Sequence, residues 1–320
     1  MDEKRNITKA AGLMSIATFI SRILGYAKDM IFALYFGATG LSDTFFVAFR
    51  IPNLLRELFA EGSMSSAVIP VLTEHQTKYG DEEAKRLVRI IFTSITIFVG
   101  LICVLGIIFA PAIVTAIAPG FLNMPDKFSL TVLLTRLMFP FLLFISFAAI
   151  VMGALNTRRI FFIPAVAPAM LNITIIAAVL LLAPGMEQPI IAVAIGVAIG
   201  GLVQFAFQLP SFFKNGYSLT PQYDFRHPGL KKISILILPA TMGMAVAQIN
   251  IFISTILASY LAEGSITYLY YSMRLIQFPI GIFGVAMGMA VLPTLSEHAV
   301  KGDFDSLRSD FSFALRLLFF

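Results

Sequence analysis

The sequence predicts an all-α polytopic membrane protein built as two lobes, and three observations carry that prediction. The 320 residues are 58% hydrophobic and only 13% charged, with a mean hydropathy of +0.88. A soluble domain is nearer half apolar and a quarter charged. Apolar runs of membrane-spanning length recur along the whole chain. Finally, VIPVLTEH at 68–75 returns as VLPTLSEH at 291–298, which marks an internal repeat.

Eight runs are long enough to cross a bilayer, at residues 11–37, 43–73, 88–118, 129–155, 160–183, 189–213, 232–261 and 266–296. The closing FSFALRLLFF begins a ninth helix but reaches only about 15 Å at 1.5 Å per residue, half a bilayer. The chain therefore reads as a truncated piece of a longer protein. Sixteen Lys and Arg residues fall in the loops at one end of these spans, and Lys127 alone falls at the other. By the positive-inside rule the N-terminus is cytoplasmic. The N-terminal MDEKRNITKA has no compact apolar core followed by a small-residue cleavage site, so the first helix stays as an anchor. Cys103 is the only cysteine and sits in an apolar run, which excludes an internal disulfide.

The two copies of the repeat lie 223 residues apart with six helices between corresponding points. An even number of crossings gives both copies the same orientation, so the repeat axis runs along the membrane normal. Residues 1–222 form a first lobe of helices one to six, and 223–320 begin a second with helices seven, eight and the start of nine.

The stretch from Ser21 to Gly62 is apolar enough for two spans, yet it holds Arg22, Lys28, Asp29, Asp43, Arg50, Arg56, Glu57 and Glu61. Each charge at the centre of a membrane helix costs roughly 2.5–3.5 kcal/mol, so eight facing lipid would cost on the order of 20 kcal/mol. They must face one another or water inside the bundle, and the first inference is a polar intramembrane cavity and a transport function. Asp43, Arg50 and Glu57 are seven apart and share one helix face, as a ladder of internal pairs or as the lining of that cavity. Arg22 and Asp29 have the same spacing. Arginine is the informative residue, because its planar fork binds phosphate oxygens bidentately and stays charged. Arg274 adds a cation in the eighth span, and Arg136, early in the fourth, reads as snorkelling to the interface. His75, His227 and His298 sit at or beyond helix ends, which argues against a buried histidine relay. GIFGVAMG, at 281–288, spaces small residues for close helix contact.

Missing motifs narrow the class. The G-x-x-x-x-G-K-[ST] phosphate loop of nucleotide-driven pumps does not occur. Cys/His metal spacing is lacking too, and no serine triad can be placed, so catalytic and metal roles are not expected.

The runs SRILGYAKD, SDTFFVAFRIPNLLRELFAEGSMSSAVIPVL and YYSMRLIQFPIGIFGVAMGMAVLPTLSEH together resemble the MurJ/MviN family of lipid II flippases. That family belongs to the multidrug/oligosaccharidyl-lipid/polysaccharide exporter superfamily. The resemblance implies a MATE-like two-lobe fold of fourteen helices with a cationic cavity. It also implies flipping of the undecaprenyl-pyrophosphate-linked peptidoglycan precursor, lipid II, across the bacterial cytoplasmic (inner) membrane during cell-wall biogenesis. By position, the family's cavity cations fall on Arg22, Lys28, Arg56 and Arg274, where they would bind the substrate. Asp43 and Glu61 match acidic positions that the resemblance links to gating or lobe contacts, and Asp29, Arg50 and Glu57 are expected beside them as gating or structural charges on their spacing. Lys28 stands where relatives usually have arginine, and so keeps the charge without the fork. The family reading implies no cofactor, with any coupling to Na+ or to the membrane potential using helices beyond those present. The expected partners are lipid II and membrane lipids, not nucleic acid, with the chain a monomer. The alternatives are a flippase for another polyprenyl-linked glycan and a cation-coupled multidrug exporter.

Overall fold

A computed structural model gives the fold and describes residues 2–57, 63–279, 291, 295, 298 and 303–319. Among them the elements are helical: α1 Asp2–Phe36, α2 Gly40–Arg56, α3 Ser63–Tyr79, α4 Asp81–Ile108, α5 Ala110–Ile117, α6 Pro125–Thr157, α7 Phe162–Leu181, α8 Ile190–Lys214, α9 Pro228–Ala258, α10 Ser265–Pro279 and α11 Phe304–Phe319. Segments Asp81–Ile108, Pro125–Thr157, Phe162–Gly185 and Ile190–Lys214 are long and apolar enough to cross a membrane. The remaining expected spans carry charges or run partly outside the described residues. Within the second expected span, α2 and α3 hold the described residues on either side of 58–62, and the GIFGVAMG segment lies outside what is described.

Local chemistry explains the breaks. Gly37 turns the chain out of α1 at φ +59°, and Ser42 Oγ donates to Gly37 O at 2.7 Å, fastening the first turn of α2. The expected third span divides at Phe109 into α4 and α5. Pro111 has no N–H, so the carbonyl of Ile107 loses its helical donor. Arg136 on α6 takes its place, donating from Nε to Ile107 O at 3.2 Å. The snorkelling expected of Arg136 thus has a more specific form, a side chain that satisfies a backbone acceptor opened by proline.

Within residues 1–266, one of two compact units, α6 is central and packs against α2, α3, α4 and α8. Its Met138, Phe139, Phe141 and Leu142 are wholly or almost wholly buried. Phe32 joins α1 to α2 through Phe45 and Phe46 at ring separations of 5.1 and 5.2 Å. Helices α7 and α8 meet through small residues: a Cβ added at Gly196 would stand 2.7 Å from Ala178 Cβ and 3.2 Å from Ile175 Cα. The segment between α8 and α9 is tied back to α4, with Arg86 3.0 Å from Asp224, Arg89 Nε donating to Gln222 Oε1 at 3.1 Å, and Gln222 N donating to Thr93 Oγ1 at 2.8 Å. The second unit, residues 267–320, contains the body of α10 and α11.

Because a rigid alanine Cβ and backbone atoms rather than a mobile side-chain tip oppose Gly196, its replacement tests this packing. Gly196→Leu is expected to lower stability by about 1–3 kcal/mol, read as a lower melting temperature in detergent. An unchanged melt would show that α7 and α8 do not approach this closely.

Candidate functional site

The charged face of α2 is the centre of the candidate site, because three partners from α9 and the turn after it meet it in order. Asp43 lies in the first turn of α2, where the helix N-terminus favours an anion. It is 2% exposed, and its Oδ2 accepts from Gly264 N at 2.8 Å and from Lys127 Nζ at 3.2 Å. Two turns on, Arg50 Nη2 donates to Thr255 Oγ1 at 3.1 Å. After two more turns, Glu57 Oε2 accepts from Gln248 Nε2 at 2.6 Å. Arg50 and Glu57 are seven apart on α2, and their partners Thr255 and Gln248 are seven apart on α9 in the opposite sense. The result is an antiparallel polar seam in register with both helices.

Backbone close approach locks the Asp43 end of the seam. Gly120 N donates to Ser259 Oγ at 3.1 Å, and a Cβ at Gly120 would stand 2.1 Å from Ser259 O. Gly264 adopts φ +87°, with Ala38 O 2.5 Å from where its Cβ would be. Only glycine fits that position, for both conformational and steric reasons. Lys127 also lies over the Phe121 ring, 4.4 Å from its centroid.

The proposed cavity cations are distributed differently. Lys28 Nζ is 3.0 Å from Asp29 Oδ1, the two side chains being 20% and 9% exposed. Arg56 Nε donates to Asn53 Oδ1 at 3.1 Å, and its Nη2 lies 3.8 Å from Glu57 Oε1. Asn53 Nδ2 in turn donates to Glu57 Oε1 at 2.8 Å. Arg22 on α1 is exposed, and Arg274 is exposed on α10 in the second unit. Glu61 lies outside the described residues. Arg56, Glu57 and Gln248 are therefore brought together, and so are Lys28 and Asp29. Two cavities are defined nearby. One, of about 450 Å³, includes Thr39, Thr44, Lys127, Glu187 and Glu263; the other, of about 330 Å³, is lined largely by Phe92, Phe147, Phe205 and Pro221. Arg22, Lys28 and Arg56 line neither of these two.

The sequence reading missed Lys127, Asn53, Gln248, Thr255, Ser259 and Gly264. Lys127 carried a signal, as the single basic residue at its end of the bundle. The uncharged partners carried none, since only the fold reveals which Thr or Gln faces a buried ion. Outside the spans, two lysines shape an acid at the basic-loop end: hydrogen bonds from Lys232 and Lys78 hold the Glu74 carboxyl down at about 2.

The chain as a whole is similar to known proteins. The profile of the family described as lipid II flippase MurJ matches residues 32–320. A lipid II flippase MurJ of Burkholderia cenocepacia is 38% identical over 318 residues, covering 98% of this chain and 62% of the relative. A probable lipid II flippase MurJ of Vibrio cholerae is 38% identical over 323 residues, with 99% and 62% covered. The chain thus spans about three fifths of the length of these relatives. A solved lipid II flippase MurJ in an inward closed conformation superposes with a TM-score of 0.77 at 31% identity, over 96% of this chain and 62% of that one. An outward-facing multidrug resistance MATE family transporter superposes at 0.62 with 15% identity, over 97% and 69%, and shares the fold alone. Sequence profile, relatives and architecture converge on one assignment: the chain belongs to the lipid II flippase MurJ family.

Proposed function

We propose that this chain forms the binding and gating portion of a transporter that moves lipid II from the inner to the outer leaflet of the bacterial cytoplasmic membrane. The observation that carries this reading is 38% identity to a lipid II flippase across 98% of the chain. No bond of the substrate is made or broken, so the work is transport and not enzymatic. The sugar-peptide head and its diphosphate cannot cross about 30 Å of hydrocarbon unaided, whereas the polyprenyl tail remains in lipid. The protein must shelter the charged part and open to one side at a time.

In this reading Arg22, Lys28, Arg56 and Arg274 hold the diphosphate. Without it, Asp29 and Glu57 stand in as counter-ions to Lys28 and Arg56. A diphosphate offers more negative charge and more acceptor oxygens than a single carboxylate, so it competes for the same donors. The positive-inside rule puts the Asp43 end of the α2–α9 seam at the outer surface and the N-terminus in the cytoplasm. The bonds from Gly264 to Asp43 and from Gly120 to Ser259 then act as an outer latch, closed in this state. Arg50 and Glu57 continue the gate inward, and Glu61 joins it on the sequence reading alone. Residues 1–222 and 223–320 belong to two lobes that rock about the seam, as a monomer surrounded by membrane lipids. Coupling to Na+ or to the membrane potential would be added by parts of the transporter outside this chain.

Complementation of a strain depleted of its own lipid II flippase tests the assignment. Arg56→Ala is expected to abolish growth and Arg56→Lys to restore it poorly, since the ammonium lacks the bidentate fork. Wild-type growth with Arg56→Ala would remove that residue from the binding site. At position 28, Lys28→Arg is expected to support growth and Lys28→Ala to fail, and full growth with Lys28→Ala would discard its role. For the latch, Lys127→Met leaves the buried Asp43 without its cation and is expected to cost about 3–5 kcal/mol of stability. Adding Asp43→Asn should recover part of that loss. Strictly additive melting shifts in the double variant would show that the two side chains are not coupled.

A further inference from the structure

We propose that His75, Glu83 and His227 form a site for one divalent cation of the zinc class, at the point where the segment after α8 enters α9. The three come from three separate elements: the last turns of α3, the first turn of α4 and the N-cap of α9. One ligand-capable atom from each lies within 4.8 Å of the other two. A tetrahedral zinc with bonds near 2.0–2.1 Å needs donors about 3.4 Å apart, so small side-chain rotations bring the set into range. His75 and His227 are 8% and 5% exposed, while Glu83 is half-buried and leaves an entrance from solvent.

A second observation points to a ligand. His75 Nδ1 is buried without a hydrogen-bond partner among the described residues, which leaves a donor atom whose desolvation nothing offsets. The first turn of α9 closes over this ring: a Cβ at Gly229 would stand 2.8 Å from His75 Nε2. The His75 and His227 rings are 5.4 Å apart and inclined at 41°. Glu83 Oε1 is 2.9 Å from His227 Nε2, and its other oxygen, Oε2, lies 3.6 Å from Arg86 Nη1. Asp224, 3.0 Å from Arg86, answers that arginine's charge.

Two imidazoles and one carboxylate, with water as a fourth ligand, are a zinc donor set, whereas Ca²⁺ and Mg²⁺ select oxygen-only surroundings. The ion would displace the proton between His227 Nε2 and Glu83. His227 Nδ1 would then take up a proton and release its 3.1 Å bond from Gly229 N. One neutral N-cap hydrogen bond is a small loss against three metal–ligand bonds. The exchange therefore favours the metal. Positions 75, 83 and 227 form no sequence spacing, so only the fold makes the set visible. The second copy of the repeat carries a related pair, with His298 Nε2 3.2 Å from Asp310 Oδ2.

The experiment is a titration of the purified, EDTA-stripped full chain with Co²⁺ and then Zn²⁺. Wild type is expected to bind one equivalent of Co²⁺ with ligand-field absorption, to lose that absorption when Zn²⁺ is added, and to melt at a higher temperature with Zn²⁺. His75→Ala and His227→Ala should each weaken binding by about tenfold or more. His75→Cys should keep the site and add a thiolate-to-cobalt charge-transfer band that wild type, with its buried Cys103, does not show. Three results would overturn the proposal. One is the absence of cobalt absorption and of a zinc-dependent melting shift in wild type. Another is equal affinity in the His75→Ala/His227→Ala double variant. The last is a normally melting His75→Cys protein without the charge-transfer band.

Discussion

Ionised side chains in an apolar helix must find partners, and α2 meets that constraint along its whole length. Asp43, Arg50 and Glu57 would each be costly if desolvated alone. The structure gives them a backbone N–H, a hydroxyl and a carboxamide, all from α9 and the turn that follows it. Asp43 is also met by a full opposite charge, Lys127, and Glu57 has Arg56 at 3.8 Å. Hydrogen bonds from neutral groups satisfy an ion without cancelling its charge, so Thr255 and Gln248 engage Arg50 and Glu57 as ions. A surface of this kind can hold two helices together and still exchange partners when they part.

Much of this was legible in the residues. The order and approximate extent of the helices followed from apolar runs and punctuation, and the heptad spacing of Asp43, Arg50 and Glu57 placed them on one face. The resemblance to the MurJ family, read from short runs such as SDTFFVAFRIPNLLRELFAEG, agrees with the profile match over residues 32–320. What could not be read was the identity of uncharged partners. Thr255 and Gln248 are two polar residues among many in apolar helices, and nothing local marks them as facing an arginine and a glutamate. Arg136 teaches the same point from the opposite direction. Its role depends on a carbonyl freed by Pro111 on another helix, 29 residues from the carbonyl it serves.

Proline and glycine do different work in this fold. Pro111 opens an acceptor that a distant cation fills, which divides one expected span into α4 and α5 while both remain in the bundle. Gly120 and Gly264 instead remove side-chain bulk where two loops touch backbone to backbone. Such contacts close a surface tightly with little buried apolar area. Their hold depends on a few hydrogen bonds, as the proposed outer latch requires.

The matched heptads of the seam restrict how α2 and α9 can move past each other. Arg50 meets Thr255 and Glu57 meets Gln248, so polar groups face one another only once in every seven residues, about 10.5 Å of helix axis. A slide of one turn, about 5.4 Å, would bring Ile251 and Phe252 level with Arg50 in one direction and with Glu57 in the other, so one of the two ions would lose its polar partner. Sliding by a turn therefore costs a polar contact, while swinging the two helices apart lets water reach all the ions together. The spacing of these side chains is thus better matched to the proposed rocking than to a ratchet.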